Sequence, residues 1–147
     1  MGSRYDGFWK NNVAEGQGRL IHANGDVYEG TWKNDVAEGF GVYTRIDGNR
    51  YAGEWKDDKQ NGKGIEIWAD ESKYEGLYVD GKKNGKGKLT WKDGSFYNGN
   101  FKDDNFTGYG YYKWADGRQY KGNWLDNGMD GQGSMIWEDN RKYTGNF

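Results

Sequence analysis

The sequence predicts an all-β protein, an elongated, twisted and open-ended single-layer antiparallel sheet of tandem hairpins with an aromatic-lined groove. Three observations lead to this fold class. A tyrosine recurs every 23 residues along the chain. Glycine accounts for 26 of 147 residues, while proline is absent. Aromatic residues make up 18% of a chain that is only 33% hydrophobic. Disordered segments are poor in aromatic residues, so we expect a thin folded layer held together by rings.

The repeat has three landmarks. Each tyrosine is followed two residues later by glycine and four residues later by an aromatic residue, and in each complete copy a Gly-x-Gly begins eleven residues after the tyrosine. Such a fixed period indicates a repeat architecture. The tyrosines are Tyr5, Tyr28, Tyr51, Tyr74, Tyr97, Tyr120 and Tyr143. The predicted copies are residues 5–27, 28–50, 51–73, 74–96, 97–119 and 120–142, with a partial copy at 143–147. Residues 1–4 are interpreted as a lead-in or an expression scar.

The first element of each copy is a strand. In the second copy Tyr28, Gly30 and Trp32 alternate with polar residues, and a period of two is typical of a strand. The frequent glycines disfavour a helix of ten residues or more. We expect a polar loop of about five residues next, over 34–38, and then a second strand that contains the Gly-x-Gly.

The pairing of the two strands follows from steric considerations. A glycine opposite a ring leaves room for it and offsets the usual weakness of glycine in a strand. The register with glycine opposite glycine leaves the rings unsupported, so we favour the register with glycine opposite a ring. The expected pairs are Trp32 with Gly41, Gly30 with Tyr43, and Tyr28 with Arg45.

The turn between copies carries Asn-Gly or Asp-Gly in most copies, as at Asn24-Gly25. A three-residue turn with a left-handed glycine and a bulge keeps successive tyrosines on one face, whereas a two-residue turn does not. We therefore expect the bulged turn. Copies three and six carry Asp70-Glu71 and Asp139-Asn140 instead. Asparagine tolerates the left-handed conformation but glutamate does not, so we expect a distorted turn at Glu71.

The pattern resembles the MORN (membrane occupation and recognition nexus) repeat. Tyr28-Glu29-Gly30-Thr31-Trp32 and the segment from Gly85 to Gly94 show it best, and the resemblance extends from Tyr5 to Phe147. It implies an elongated, twisted single-layer sheet with an aromatic groove. It also implies a cytoplasmic scaffold, often associated with cytoskeleton or membrane, that binds proteins, self-associates or contacts phospholipid. The choline- and glucan-binding wall repeats of secreted proteins are the alternative, which the Tyr-x-Gly-x-Trp element disfavours.

The residues that catalysis requires are scarce. The chain has no cysteine and a single histidine, which disfavours thiolate chemistry and a zinc site. The Gly-x-Gly pairs precede no helix, so a phosphate cradle is not expected. The net charge of −2 favours no nucleic-acid partner. We expect a non-catalytic cytoplasmic protein without cofactor or metal.

The groove is the expected binding surface. An exposed row of rings is typical of a binding site, and its partner is predicted to be an amphipathic helix or an extended peptide of another protein. Rings that only hold the array together are the alternative. The groove residues are predicted to be Tyr28, Trp32, Tyr43, Arg45, Tyr51, Trp55, Glu66, Trp68, Tyr74, Tyr78, Trp91, Tyr97, Phe101, Trp114, Tyr120 and Trp124.

Departures from the repeat indicate where specificity lies. His22 stands where other copies have tryptophan, and we expect it to line the groove as a ring. Arg45 and Glu66 replace apolar groove residues. They either pair with each other or select charged residues of a partner.

Two further hypotheses concern other partners. Lysines of copies three and four predict binding to anionic phospholipid. Unpaired strands at the two sheet ends predict self-association, as a segment of a larger protein would show. The candidate lipid-facing residues are Lys59, Lys63, Lys82, Lys83, Lys86 and Lys88.

Overall fold

The computed structural model describes residues 2–147, so Met1 of the predicted lead-in lies outside the described residues. Within that range the secondary structure is all β, and thirteen strands form one open antiparallel sheet in sequence order. The predicted fold class is confirmed. The strands are β1 (Arg4–Lys10), β2 (Val13–Ile21), β3 (Val27–Lys33), β4 (Val36–Thr44), β5 (Arg50–Lys56), β6 (Lys59–Ile67), β7 (Lys73–Val79), β8 (Lys82–Thr90), β9 (Phe96–Lys102), β10 (Asn105–Lys113), β11 (Gln119–Leu125), β12 (Gly128–Ile136) and β13 (Lys142–Asn146).

The chain forms two compact units. The first extends to Ala69 and includes Tyr78–Gly81, and the second comprises Asp70–Leu77 and Lys82–Phe147. Each unit is described by itself, with copy two as the example for the first and copy five for the second.

The turn within each copy is shorter than the sequence predicts. Strand β3 ends at Lys33 and β4 begins at Val36, so two residues connect them where we expected about five. Asn34 and Asp35 have φ of 49° and 68°, the left-handed pair that a type I′ hairpin turn requires. Asparagine, aspartate and glycine adopt this conformation most readily. Every complete copy has two such residues at this place.

The three residues expected to complete the loop belong to β4 and include a bulge. Gly30 pairs with Gly41 and Trp32 pairs with Ala37, so the pairing shifts between them. Gly39, the first glycine of the Gly-x-Gly, has φ of 84°, a conformation that L side chains avoid. The first glycine of each pair is therefore required by the backbone of the bulge.

The predicted strand register is wrong. The structure pairs Gly30 with Gly41 and Tyr28 with Tyr43, the arrangement that the sequence disfavoured. The rings are nevertheless supported, because Tyr28 lies over the glycine pair and a Cβ atom at Gly41 would collide with its ring. Its hydroxyl donates a hydrogen bond to the carbonyl of Thr31 at 3.0 Å. The second glycine thus accommodates the tyrosine of its own copy.

The turn between copies has the predicted form. Between β2 and β3, the N–H of His22 donates to the carbonyl of Asp26 at 2.8 Å and the N–H of Gly25 donates to the carbonyl of His22 at 2.9 Å. Gly25 has φ of 98°, as a three-residue turn with a bulged glycine requires. Tyr28 and Tyr51 are both buried and contact Trp55, so successive tyrosines share one face. The prediction of a bulged turn is confirmed.

The turn at Glu71 shows no departure in φ. Glu71 has φ of 73°, close to the 70° of Asn140 at the same place in copy six. Its carboxylate lies 3.1 Å from Nζ of Lys92, with both side chains largely exposed. An exposed pair contributes little stability. The predicted distortion is therefore not seen at this residue, and Glu71 occupies a strained backbone conformation instead.

We expect Glu71→Gly to raise the free energy of unfolding by about 1 kcal/mol, because glycine adopts a left-handed φ without that strain. Urea unfolding followed by tryptophan fluorescence measures the effect. Asn140→Gly is the matched control and is expected to change stability by less than about 0.5 kcal/mol, since asparagine tolerates this region. Equal effects of the two variants would contradict the assignment of strain to Glu71.

From copy two onward, the second residue of the hairpin turn also connects neighbouring copies. The N–H of Asp58 donates to the carbonyl of Ala37 at 3.1 Å, and its carboxylate accepts the N–H of Ala37 at 2.6 Å. Asn127 makes the same two contacts with Phe106. The acidic residues at this place, such as Asp58, therefore hold adjacent hairpins together.

Candidate functional site

One face of the sheet, here called the ring face, carries the repeated aromatic side chains. In the first unit Tyr28 contacts Trp32 and Trp55 edge to face, with ring centroids 5.1 and 5.2 Å apart. In the second unit Tyr97 meets Phe101 and Trp124 in the same way at 5.1 and 5.4 Å. Each such pair contributes about 0.5–1.5 kcal/mol beyond the area buried. The tyrosine of one copy thus joins that copy to the next.

Nine of the sixteen predicted groove residues are buried by this packing. The indole N–H of Trp32 even donates to the carbonyl of Gly18 at 3.1 Å. These rings hold the copies together, which was the alternative interpretation, and they present little surface to a ligand. The buried members are Tyr28, Trp32, Tyr51, Tyr74, Tyr78, Tyr97, Phe101, Tyr120 and Trp124.

The other predicted groove residues retain accessible surface. Arg45 is exposed, and the remaining six are half-buried: Tyr43, Trp55, Glu66, Trp68, Trp91 and Trp114. In the second unit Tyr112 stands between Trp91 and Trp114, with centroids 5.5 and 4.6 Å away. We call Trp91, Tyr112 and Trp114 the ring row. Tyr112 is not among the groove residues predicted from the sequence, although it occupies the position of Tyr43.

The ring face of the first unit contains a pocket of about 230 Å³, here called the Ala37 pocket. Its floor is Ala37, a small residue at a place where later copies have longer side chains. Its walls are mostly aromatic, and two carboxylates lie at its rim. The lining residues are Leu20, His22, Tyr28, Trp32, Asp35, Ala37, Tyr43, Trp55 and Asp58.

Asp26 holds one wall of this pocket in place. It is buried, and its carboxylate accepts hydrogen bonds from the N–H of Ile46 at 3.1 Å and from the hydroxyl of Tyr43 at 3.0 Å. The bond from the Ile46 N–H, together with that from Tyr43, keeps the pKa of Asp26 below its usual range. An ionised Asp26 therefore fixes the orientation of Tyr43. This role has no signal in the repeat pattern, because other copies have serine, asparagine or arginine here.

The rim carboxylates act on the tyrosines beneath them. Burial is the main cause that raises the pKa of Tyr28, to about 12, and the negative charge of Asp58 adds to it. Burial also raises the pKa of Tyr5, with the charge of Asp35 as the second cause. Asp35 and Asp58 each use one oxygen to accept a backbone N–H, from Ala14 and Ala37. The second carboxylate oxygen keeps its capacity to accept from a ligand.

The two charged departures do not pair with each other. Arg45 lies 3.3 Å from the carboxylate of Asp47. Glu66 accepts a hydrogen bond from the hydroxyl of Tyr78 at 2.6 Å. Of the two alternatives for Arg45 and Glu66, mutual pairing is excluded, and selection of a charged partner stays a prediction.

The candidate lipid-facing lysines do not all lie on one face. Lys59 and Lys63 of the first unit, and Lys82, Lys86 and Lys88 of the second, occupy strand positions on the face opposite the rings. Lys83 lies on the ring face, with Nζ 5.4 Å from the Tyr74 centroid and 3.7 Å from the Asp104 carboxylate. Phospholipid binding stays a prediction, and Lys83 does not belong to the set that could serve it.

Within residues 2–147 no helix is long and apolar enough to cross a membrane. The same range contains no group of three or more histidines, aspartates and glutamates placed to hold a metal ion.

These features define a class: a tandem β-hairpin repeat protein whose copies are joined through a ladder of aromatic rings. The model of the MORN repeat matches residues 5–27, 28–50, 51–73, 74–96, 97–117 and 120–140. The chain belongs to the MORN repeat family. No curated protein sequence matches the chain.

Solved structures with a similar fold exist. The TCP domain of SAS-4 (dCPAP) from Drosophila melanogaster, in complex with a proline-rich motif of Ana2 (dSTIL), superposes with a TM-score of 0.55 at 16% identity, over 90% of this chain and 73% of that one. The TCP10c domain of Drosophila melanogaster Sas-4 matches with a TM-score of 0.33 at 14% identity, over 90% of this chain and 93% of that one. The first supports the fold, while the second has too low a score to carry an argument.

Proposed function

We propose that the chain is a non-catalytic interaction scaffold that binds an extended peptide of another protein along its ring face. The observation that carries this proposal is the ring row of the second unit, in which Trp91, Tyr112 and Trp114 remain half-buried above the buried ladder. Large rings with one face accessible are typical anchors at protein interfaces. A cytoplasmic location next to the cytoskeleton is part of the same proposal.

The spacing of the copies favours an extended peptide over a helix. Two strands per copy place equivalent rings about 9.5 Å apart. A polyproline II helix repeats every three residues, or about 9.3 Å, so every third side chain of such a peptide meets an equivalent ring. The α-helical repeat of about 5.4 Å does not match. The likeness to a domain that is described in complex with a proline-rich motif supports the same choice, since such motifs dock on aromatic grooves.

The test uses peptides selected from a random twelve-residue library on the immobilised full chain. We expect the selected peptides to tolerate proline at successive positions and to show a three-residue period. Their affinity, measured by calorimetry, is expected to fall about tenfold or more in Trp114→Ala, as for a ring at the centre of an interface.

The matched control is Tyr109→Ala, because Tyr109 is an exposed ring on the opposite face. Binding to this variant is expected to stay within about twofold of the original, since it removes no contact of the ring face. Circular dichroism checks that both variants are folded. Peptides that lose affinity for Tyr109→Ala but not for Trp114→Ala would overturn the proposal, as would peptides whose binding one internal proline abolishes.

A further inference from the structure

The packing of rings that joins the copies does not explain the Ala37 pocket of the first unit. In copy five the corresponding place is filled by a side chain of the protein itself, because Phe106 stands where copy two has Ala37. Phe106 stacks on Tyr97 with centroids 3.9 Å apart and planes inclined by 8°. Its ring also contacts four other side chains, which are Trp91, Phe101, Tyr112 and Trp124. Their counterparts around Ala37, which come from copies one to three, are His22, Trp32, Tyr43 and Trp55, and these side chains line the pocket.

Copy four fills the same place with a cation. Lys83 occupies the position of Ala37, and its Nζ lies over the ring of Tyr74 and 3.7 Å from the carboxylate of Asp104. Tyr74 and Asp104 are the counterparts of Tyr28 and Asp58. The lysine side chain is only 17% exposed, so the site accommodates a largely buried lysine. A cation above an aromatic ring and beside a carboxylate is stabilised by both.

The charges at the rim decide between an aromatic and a cationic occupant. The pocket has aspartate on both sides, Asp35 and Asp58, whereas the place filled by Phe106 has Asp104 and Asn127, and that of Lys83 has Gly81 and Asp104. Two carboxylates next to aromatic walls favour a positive charge. An apolar ring would leave both without a counter-ion.

We propose that the Ala37 pocket binds a lysine side chain of the partner, with the ammonium beside Asp58, as that of Lys83 lies beside Asp104. The negative charge of Asp35 adds to the attraction, and the alkyl chain lies against Trp32 and Trp55. The inference deepens the proposed function, because it names the residue through which the extended peptide is fixed in the first unit. Lys83 is the intramolecular counterpart of this contact.

The experiment uses two small probes on the full chain, so that it does not depend on any peptide. The probes are N-acetyl-lysine methylamide and N-acetyl-norleucine methylamide, which differ chiefly in the ammonium group. Binding is followed through the indole N–H signals in nitrogen-15 NMR. We expect the lysine probe to shift the signals of Trp32 and Trp55. Trp124 serves as an internal reference, since Phe106 already fills its pocket. The lysine probe is expected to bind about tenfold tighter than the norleucine probe.

Two variants make the test specific. Asp35→Asn/Asp58→Asn removes the charges and keeps the connection between copies, since Asn127 makes the same bond through its side-chain oxygen. It is expected to lower the affinity for the lysine probe about tenfold and to leave the norleucine probe unchanged. Ala37→Phe is expected to abolish the shifts by filling the pocket.

Equal affinity for the two probes, or lysine-probe shifts that persist in Ala37→Phe, would overturn this inference. Neither outcome bears on the ring row, because the probes carry no peptide chain. Conversely, failure of the library peptides to bind would remove the extended partner but leave a positive probe result as evidence for the pocket.

Discussion

Replacing Gly99 with alanine is expected to lower the free energy of unfolding by about 3 kcal/mol or more. A Cβ atom at Gly99 would lie 2.6 Å from Cα of Gly110 and 2.8 Å from the carbonyl oxygen of Tyr109, both backbone atoms of the paired strand. It would also lie 2.8 Å from the hydroxyl of Tyr97. The tyrosine could shift, but the strand could not retreat without breaking its hydrogen bonds. The cost therefore combines overpacking with loss of pairing.

Gly128→Ala is the control for this variant. A Cβ atom there would meet only the carbonyl of Leu125 at 3.6 Å, which is an ordinary contact, and the residue is exposed. We expect its effect to stay within about 0.5 kcal/mol. Urea unfolding followed by tryptophan fluorescence compares the two. Similar stabilities of Gly99→Ala and Gly128→Ala would show that the close approach of the glycine pair is not required.

The repeat period, the strands and the bulged turn between copies could be predicted from the sequence, because each depends on local chemistry. Alternation indicates a strand and Asn24-Gly25 indicates the turn. The register within a hairpin could not be predicted from the sequence, because it depends on how many residues the bulge contains. The two glycines of Gly39-Phe40-Gly41 look alike in the sequence, yet one provides a positive φ and the other makes room for Tyr28.

The candidate site was predicted in part for a related reason. Recurring rings were assigned to a groove by their regularity, and the regular ones, such as Tyr97, are those that the ladder buries. Accessible surface arises where copies differ, as at His22 and Ala37. The pocket above Ala37 is formed because a large side chain is absent there. An alanine therefore gives no signal when a binding surface is predicted from recurring rings. Only comparison with Phe106 at the same place in copy five could have indicated it.

Phe106→Ala is expected to lower the free energy of unfolding by about 3 kcal/mol, at the lower end of values for phenylalanine in a core because the ring is half-buried. The variant would create in the second unit the kind of pocket that copy two already has, and it would remove the stack on Tyr97 at 3.9 Å. The control is Tyr109→Ala in the same strand, whose ring is 61% exposed. It is expected to change stability by about 0.5 kcal/mol or less.

The reverse substitution tests the same packing by filling a pocket instead of creating one. Ala37→Phe is expected to stabilise the chain by about 1 kcal/mol, since the added ring fills an existing pocket. Trp32, Tyr43 and Trp55 stand where Phe101, Tyr112 and Trp124 contact Phe106, so the ring has a preformed environment. Thermal unfolding of Phe106→Ala, Ala37→Phe and the double variant measures both effects. A destabilised Ala37→Phe would contradict the equivalence of copies two and five in the packing around this place.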